Sequence, residues 1–310
     1  MDGILVIDKP HGPTSHDVVR DIRRGLRIDK VGHTGTLDPM ATGVLPLVLG
    51  KGTKLARYLT GGDKTYRATI RLGATTSTLD AEGEILMERP VDVDATRLDA
   101  ALALLRGEID QIPPMFSAKK IDGRKLYELA RKGIEVEREA KKVIVHRLDL
   151  LEFTSPDVTV DIKCSAGTYV RVLAQDLGET LGCGAYLKSL RRLEAGPFTL
   201  EHAVALEAVL EDPTAALARV LPLSRALIDL PRIDVTADIG RMIIAGHQLS
   251  VADLRVLDTP TFGNDDALAL GVDGGDVIAV VRAQLASEEL SRSRRDRRAL
   301  KTERVLSAKV

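Results

Sequence analysis

The 310-residue sequence has no tryptophan, and only 3% of its residues are aromatic. Stacking on a flat ligand would therefore depend on its five tyrosines and four phenylalanines. No apolar run approaches the roughly 18 residues that a membrane-spanning helix needs, which argues against a membrane protein. The first ten residues contain no basic region and only a short apolar run, so we expect no signal peptide.

Cysteine is also scarce, with Cys164 and Cys183 alone in the chain and in no metal-ligand spacing. We expect both to be reduced thiols in a cytoplasmic protein. The formal net charge of -1 does not by itself indicate a nucleic-acid binder. The basic residues are nevertheless concentrated in three segments: Arg20 to Lys30, Lys119 to Lys142, and Arg292 to Arg304. Charge alone favours solvated helix faces, although segregated patches are compatible with binding a polyanion.

Strand-like and helix-like segments are mixed without regular βαβ alternation, which predicts an α+β domain with a largely antiparallel sheet. The clearest strand is Lys64 to Leu72, in which Tyr66 and its alternate neighbours are apolar. Ser15 and Thr96 are predicted N-caps of helices, and Val31 to Pro39 is predicted to be a loop. Further strands are predicted at residues 3–8, 43–50, 143–151, 158–164 and 186–193, and further helices at 53–59, 126–132 and 168–181.

Composition changes near Leu230–Pro231, so we predict a first domain over residues 1–230 and a second over 231–310. In the second we expect a helix around 239–245, a Gly/Asp-rich stretch to Gly275, and two short strands at 277–281 and 305–310. These features predict a small, mainly β domain. No internal repeat is present.

One candidate for chemistry is the segment Gly32 to Pro39, which holds His33 and Asp38 between two structured elements. Its glycines allow close approach of the backbone to a ligand. A single Asp before Pro is usually turn chemistry, and a lone His has a low prior for function. The nearby GKGTK segment fails the phosphate-loop pattern, because Leu45 and Gly52 stand where Gly and a hydroxyl residue are needed.

Two further segments are candidates. Tyr66 lies on a predicted strand, where a packed core tyrosine is the ordinary interpretation. Arg171 lies in the first turn of a predicted helix, where a cation gains nothing from the helix macrodipole. Such a cation often has a partner, and a nearby acid would suit a guanidinium.

Several blocks occur in one order along the chain, and together they are highly specific. They are Lys9-Pro10 with Gly12, GHTGTLDPMATGVLP, KTYRATIRLG, IPPMFSAKK, GTYVR and YLKSLRR. This series resembles the TruB family of bacterial tRNA pseudouridine-55 synthases over nearly all of the chain up to about Leu230. The tail resembles a PUA domain, a small RNA-binding β-barrel, mainly through the Gly-Asp-Val-Ile-Ala-Val-Val segment and the final strand.

The resemblance implies a pseudouridine-synthase fold, with a mainly antiparallel mixed central sheet flanked by helices, plus a small PUA-like β-barrel. It implies that Asp38 is the catalytic carboxylate. It assigns substrate contacts to His33, Tyr66, Tyr169 and Leu190, and supporting roles to Arg171, Lys9, Lys64 and Asp80. Residues 114–142 match an inserted loop that clamps tRNA.

The implied reaction converts uridine 55 in the T-loop of tRNA to pseudouridine, by base flipping, glycosidic cleavage and rejoining through C5. The reaction needs neither a cofactor nor a metal, because atoms and oxidation state are conserved. A pair between Asp38 and Arg171 makes chemical sense, since a nearby cation lowers the pKa of a carboxyl group. The expected partner is the T-arm of tRNA, with no membrane and no obligate protein partner.

Two alternatives remain open from the sequence. One is an RNA-folding protein, in which binding matters more than catalysis, although the set Asp38, Tyr66 and Arg171 argues against a purely non-catalytic module. The other is the guide-RNA-dependent branch of pseudouridine synthases, which work within a protein assembly. The basic segment from Lys119 to Lys142 favours the stand-alone tRNA enzyme.

Overall fold

Two multi-stranded sheets organise the chain in a computed structural model that describes residues 1–117, 119–121, 123–130 and 132–307. The strands that precede residue 206 are β1 (Gly3–Lys9), β2 (Val31–His33), β3 (Thr42–Leu49), β4 (Lys64–Leu72), β5 (Ala74–Thr76), β6 (Ile85–Glu88), β7 (Gly107–Gln111), β8 (Lys120–Ile121), β9 (Arg124–Lys125), β10 (Lys141–Thr154), β11 (Asp157–Cys164), β12 (Ala185–Ala195), β13 (Phe198–Thr199) and β14 (Val204–Ala205). The helices of the same region are α1 (Ser15–Gly25), α2 (Ala56–Thr60), α3 (Ala95–Leu104), α4 (Leu126–Ala130), α5 (Val170–Leu181), α6 (Leu206–Glu211) and α7 (Pro213–Leu217).

The first sheet has ten strands in the order β14-β1-β3-β12-β4-β11-β10-β7, with β13 paired to β12 and β2 paired to β3. Only the β1–β14 and β3–β12 pairs of this sheet are parallel. The expected α+β class with a mainly antiparallel mixed sheet is therefore confirmed. The β5–β6 and β8–β9 pairs form two-stranded sheets of their own.

The continuous apolar runs of β1 and β3 arise because both faces of these strands are covered. On β1, Leu5 and Ile7 pack in one core with α1 and α5, whereas Ile4 and Val6 face a second cluster. β4 shows the predicted alternation over the predicted bounds, with Tyr66 buried and Arg67 exposed. Arg67 forms an ion pair with Asp161 of β11, at an N–O distance of 2.9 Å.

Two predicted helix caps are wrong by one or two residues. Thr14, rather than Ser15, caps α1 and forms a reciprocal capping box with Asp17. Ser15 instead exchanges hydrogen bonds with the backbone of Leu37, 22 residues away. Likewise Asp94, rather than Thr96, caps α3.

Other predicted boundaries also shift. The predicted loop 31–39 begins with the short strand β2, because three of its residues find a ladder partner in β3. The predicted helix 168–181 begins at Val170 and the predicted helix 126–132 ends at Ala130, with residue 131 outside the described residues. The predicted helix 53–59 is a 3₁₀ turn over Gly50–Leu55 followed by α2.

The second sheet begins at Arg232 and has the order β15 (Arg232–Val235), β16 (Ala267–Val272), β17 (Val277–Ala283) and β18 (Leu300–Val305). The helices α8 (Ala237–Ile244) and α9 (Val251–Leu254) accompany it. The sequence missed β15 and β16, and β16 lies within the predicted Gly/Asp-rich stretch. The last strand ends at Val305 instead of spanning 305–310, and residues 308–310 lie outside the described residues. The pairings of the described residues make this a four-stranded mixed sheet, which is separate from the first sheet.

A shared apolar cluster joins the two sheets. Val44 and Val48 of β3 belong to it, together with Val277 and Val280 of β17 and with Leu306. Polar contacts add to this interface, since Lys54 donates to the carbonyl of Val305 and the Asp276 carboxylate accepts from the Leu223 and Ser224 amides. Among the described residues, no helix has both the length and the apolar character needed to cross a membrane.

Candidate active site

One cavity of about 290 Å³ collects residues from four distant parts of the sequence. Six of the predicted site residues line it: Asp38, Lys64, Tyr66, Tyr169, Arg171 and Leu190. They come from the loop before β3, from β4, from the start of α5 and from β12. Spacing along the chain could not have predicted this arrangement, because only the sheet order brings β3, β12 and β4 side by side.

At the centre of the cavity lies an ion pair between Asp38 and Arg171, with 3.0 Å between carboxylate oxygen and guanidinium nitrogen. Arg171 is buried, and it also lies 3.4 Å from a carboxylate oxygen of Asp80. It donates hydrogen bonds to the carbonyls of Thr78 (3.1 Å) and Phe116 (2.8 Å). The cation in the first turn of α5 thus binds acceptors from three separate segments.

Asp80 is fixed by its own turn. Its carboxylate accepts hydrogen bonds from the Thr78 hydroxyl (2.5 Å) and the Glu82 amide (3.1 Å). The side chain is almost completely buried, so its charge stays close to Arg171. Of the supporting residues that the resemblance implies, Asp80 is therefore in direct contact with the Asp38–Arg171 pair.

The electrostatics of Asp38 correct the simple expectation that Arg171 keeps its pKa low. Burial raises the pKa of Asp38 above its ordinary value of 3.8, and the nearby Asp80 raises it further. Arg171 and Lys9 lower this pKa, yet burial is the largest effect and the net direction is upward. The side chain still has 38% of its surface open in the cavity, so covering by a ligand would increase the burial effect.

The loop that carries Asp38 spans residues 34–41, and we call it the Asp38 loop. Few backbone groups of this loop form β-sheet hydrogen bonds. Buried side chains form hydrogen bonds with its backbone instead. Ser15 binds the amide and the carbonyl of Leu37. The ammonium of Lys9, which is fully buried, donates to the carbonyls of Pro39 (3.1 Å) and Ala41 (2.7 Å). Burial lowers the pKa of Lys9 to about 8.

Tyr66 provides the aromatic surface of the cavity. It lies on β4, is 8% exposed, and pairs in register with Ile162 of β11 and Arg192 of β12. Burial raises the pKa of its hydroxyl, and the charge of Arg192 opposes that rise. The hydroxyl is therefore protonated near pH 7.

The other predicted cavity residues are held by the backbone around them. Tyr169 precedes α5, and its amide and carbonyl both bond to the side chain of Gln111. Lys64 is buried and donates to the carbonyls of Thr60 and Gly62, and burial lowers its pKa. Leu190 is half-buried beside the main core.

His33 is the predicted contact residue that lies outside the lining of this cavity. It is on β2, and its ring meets that of His16 edge to face, with 5.2 Å between centroids. Burial lowers the pKa of His33 to about 4, so the ring is neutral near pH 7. Its Nδ1 atom is buried and has no hydrogen-bond partner among the described residues.

Two residues of the site were missed by sequence reasoning. Arg192 lines the cavity although it is only 1% exposed. Ser117 has a buried hydroxyl with no hydrogen-bond partner among the described residues, and it borders both this cavity and a second one of about 450 Å³. The two cavities meet at Asp38 and Arg171. The sequence could have indicated Arg192, because it follows Arg191 in a predicted strand. Successive side chains of a strand point to opposite faces, so one of two adjacent arginines faces the interior.

No group of three His, Cys, Asp or Glu side chains within the described ranges is arranged to hold a metal ion.

Comparison with known proteins agrees with this geometry. A family model described as TruB family pseudouridylate synthase (N terminal domain) matches residues 23–170. A second, the tRNA pseudouridylate synthase B C-terminal domain, matches residues 171–228. The chain is 44% identical to the tRNA pseudouridine synthase B of Syntrophus aciditrophicus over 293 residues, covering 94% of each protein. It is 47% identical to that of Cupriavidus pinatubonensis over 267 residues, covering 85% of each.

Solved structures show the same fold. The chain matches a protein in the crystal structure of a Cbf5-Nop10-Gar1 complex with a TM-score of 0.78 and 26% identity. The match covers 98% of this chain and 85% of that one. A chain in the structure of an H/ACA RNP bound to a substrate RNA containing 2'-deoxyuridine gives a TM-score of 0.77 at 25% identity, covering 98% of this chain and 85% of that one.

The family models and the relatives thus define a pseudouridine synthase, an isomerase that acts on RNA. Within that class, the chain belongs to the TruB family.

Proposed function

We propose that this protein isomerises uridine 55 in the T-loop of tRNA to pseudouridine, with Asp38 as the catalytic carboxylate. The observation that carries the proposal is the Asp38–Arg171 ion pair in one cavity with the buried ring of Tyr66. The choice of tRNA is supported by the names of the relatives at 44–47% identity, each a tRNA pseudouridine synthase B.

The reaction requires an ionised carboxylate beside the ribose of the target. Asp38 either attacks C1′ or removes a proton from the sugar, and both routes need the carboxylate charged. Burial opposes that charge, whereas Arg171 favours it. We infer that the ion pair keeps Asp38 reactive once RNA has closed the cavity and removed water.

The target base must leave its stack before Asp38 can reach it. Flipping a nucleotide costs a few kcal/mol, and the enzyme recovers this by stacking and by hydrogen bonds to the base edge. The ring of Tyr66 supplies a stacking face, worth roughly 1–3 kcal/mol. Tyr169 and Leu190 line the same cavity and would enclose the flipped base.

Exposed cations supply candidate contacts for the phosphates. Arg20, Arg23 and Arg24 are exposed on α1, and further arginines are exposed between Arg292 and Arg298. Such contacts position an RNA without specifying its sequence. We assign the same role to residues 114–142, of which residues 118, 122 and 131 lie outside the described residues.

The enzyme is proposed to act without a guide RNA or protein partner. Its identity to the bacterial tRNA synthases, 44–47%, is well above the 26% found for the chain of the Cbf5-Nop10-Gar1 complex. The C-terminal sheet is proposed to be a PUA-like RNA-binding domain.

The decisive experiment is the substitution Asp38→Asn, assayed by release of tritium from C5-labelled uridine in tRNA. The amide keeps the shape of the side chain but can act neither as nucleophile nor as base. We expect the single-turnover rate to fall by at least about 10³-fold, while the Kd for tRNA changes little.

Two controls make this result specific. The wild-type protein should yield pseudouridine at position 55 of a T-arm hairpin, and a hairpin with cytidine at that position should release no tritium. Tritium release by Asp38→Asn at the wild-type rate would remove Asp38 from the mechanism. A folded variant that binds tRNA but lacks activity also separates catalysis from an RNA-folding role.

A further inference from the structure

Among the described residues, Arg192 is the largest fully buried side chain, and it lies next to the loop that carries Asp38. It is on β12, between Gly43 of β3 and Tyr66 of β4 in the strand register. A Cβ atom at Gly43 would lie 2.2 Å from the carbonyl oxygen of Arg192, so only glycine permits this close crossing. The fold therefore brings Arg192 against the backbone on which Asp38 is carried.

The guanidinium of Arg192 binds backbone on both sides of Asp38. It donates to the carbonyl of Val44 at 2.6 Å, downstream of Asp38. It also donates to the carbonyls of Gly35 (3.1 Å) and Thr36 (3.4 Å), upstream of Asp38. One planar fork thus joins the first part of the Asp38 loop to β3, the strand that follows the loop, while Lys9 binds carbonyls between these two points.

Burial of the Arg192 guanidinium costs free energy of folding, so stability alone does not account for it. A buried cation loses its hydration, and apolar residues of similar volume often stabilise a fold equally well. Within the described residues, Arg192 donates to three backbone carbonyls and also hydrogen-bonds the side chain of Tyr66, and no carboxylate forms an ion pair with it. What the fork provides is geometry, because its donors lie in one plane at fixed angles.

We propose that Arg192 is a positioning residue, which holds the Asp38 loop so that the Asp38 carboxylate faces the nucleotide stacked on Tyr66. This inference rests on the proposed function of Asp38. Arg192 acts through the loop backbone, and the strand β12 that carries it also pairs with the strand of Tyr66. One side chain therefore contacts the Asp38 loop and lies on a strand that pairs with the strand of Tyr66.

The test compares Arg192→Met and Arg192→Lys with wild type in tritium release from tRNA. Methionine fills space without the donors, and lysine keeps the charge without the fork. A misplacement of about 1 Å can cost about 10²-fold, so we expect kcat to fall by that factor in Arg192→Met. In Arg192→Lys we expect a fall of at least about tenfold, with KM within a few-fold of wild type in both variants.

The matched control is Arg191→Met. Arg191 is the adjacent residue of the same strand, yet it is partly exposed and pairs with Asp8 at 2.7 Å. We expect wild-type kcat and KM from this variant. Hydrogen exchange of the amides of residues 34–41 in the free protein should accelerate in Arg192→Met and stay unchanged in Arg191→Met.

Several outcomes would overturn the proposal. They are wild-type kcat in folded Arg192→Met, wild-type kcat in Arg192→Lys, and unchanged exchange of the loop amides. If Arg192→Met does not fold, Arg192→Lys decides, and failure of both variants to fold would make Arg192 a requirement of the fold instead. Because the exchange measurement uses no RNA, it still tests the loop contact if the wild-type protein fails to modify tRNA.

Discussion

Arg171 is a single buried side chain in the cavity that binds two carboxylates. Its guanidinium contacts Asp38 and Asp80 and also two backbone carbonyls. The two neighbours of Asp38 change its pKa in opposite directions, since Asp80 raises it and Arg171 lowers it. The pH dependence of the reaction should therefore report on this cluster.

We predict that the single-turnover rate falls at acidic pH through the pKa of Asp38, which is above the ordinary 3.8. The reactive form is the ionised one, so the rate is lost as pH decreases. In Arg171→Gln the opposing charge is absent, and the acidic limb should move to higher pH. A rate profile across the acid range in which tRNA stays folded measures this shift.

Arg171→Lys is the informative control. It keeps the positive charge, so its acidic limb should lie closer to that of wild type. Its rate should still be reduced, because an ammonium group cannot reach the four acceptors that the planar fork binds. An acidic limb of Arg171→Gln that coincides with that of wild type would argue against the role of the ion pair.

At the scale of elements, helix α5 illustrates a conflict between local preference and packing. Gly178 is buried three residues before the end of this helix, about two turns after Arg171. Alanine is normally favoured over glycine in a helix by about 1 kcal/mol. A Cβ atom at this position would, however, lie 2.1 Å from the amide nitrogen of Ala185 and 2.3 Å from the carbonyl carbon of Gly184.

We predict that Gly178→Ala destabilises the protein although it improves helix propensity. Overpacking against backbone costs about 1–3 kcal/mol and occasionally more, so it should exceed the gain in propensity. The displaced helix would also move Arg171 away from Asp38. Thermal unfolding and the single-turnover rate should both decrease.

Thr180→Ala is the matched control, since Thr180 is exposed on the same helix. Its hydroxyl bonds only to the carbonyl of Asp176 one turn earlier, so its loss should change stability by less than about 0.5 kcal/mol. An increase in the thermal midpoint of Gly178→Ala would show that α5 can move away from the sheet at no cost.

At the scale of the whole molecule, the second sheet stabilises the first by packing against it. Val44 and Val48 lie on β3, the strand that follows the Asp38 loop, and they pack in one cluster with Val277 and Val280. Removal of the C-terminal domain would expose this apolar surface to water, at a cost of about 25 cal/mol per Å².

We predict that deletion of residues 231–310 lowers the thermal midpoint and weakens tRNA binding. Below the new midpoint and at saturating tRNA, the single-turnover rate should be largely retained, because the described residues that line the site all precede this domain. The measurements are a thermal scan, a binding titration and a single-turnover assay. Val280→Asp, which disrupts the same cluster in the intact chain, separates the loss of packing from the loss of RNA contacts.

An unchanged midpoint in the deletion variant would contradict the shared cluster. A rate that falls as much as binding would contradict the division of roles between the two domains.

Much of this protein was determined by its sequence alone. The strand from Lys64 to Leu72 follows from alternation, because successive side chains of a strand face opposite sides. The expectation that Arg171 has a partner follows from its place in the first turn of a helix, where the helix dipole disfavours a cation. These are short-range effects, which a local pattern records.

Tertiary structure decided the rest. The contacts of Ser15 and Arg192 with the Asp38 loop join residues 22 to 157 positions apart, so no local pattern contains them. The net pKa direction of Asp38 likewise depends on how much of the whole molecule surrounds it, since burial outweighs the one charge that the sequence had identified. The sequence identified the carboxylate and its partner, whereas the fold determined the loop geometry and the electrostatic environment in which they act.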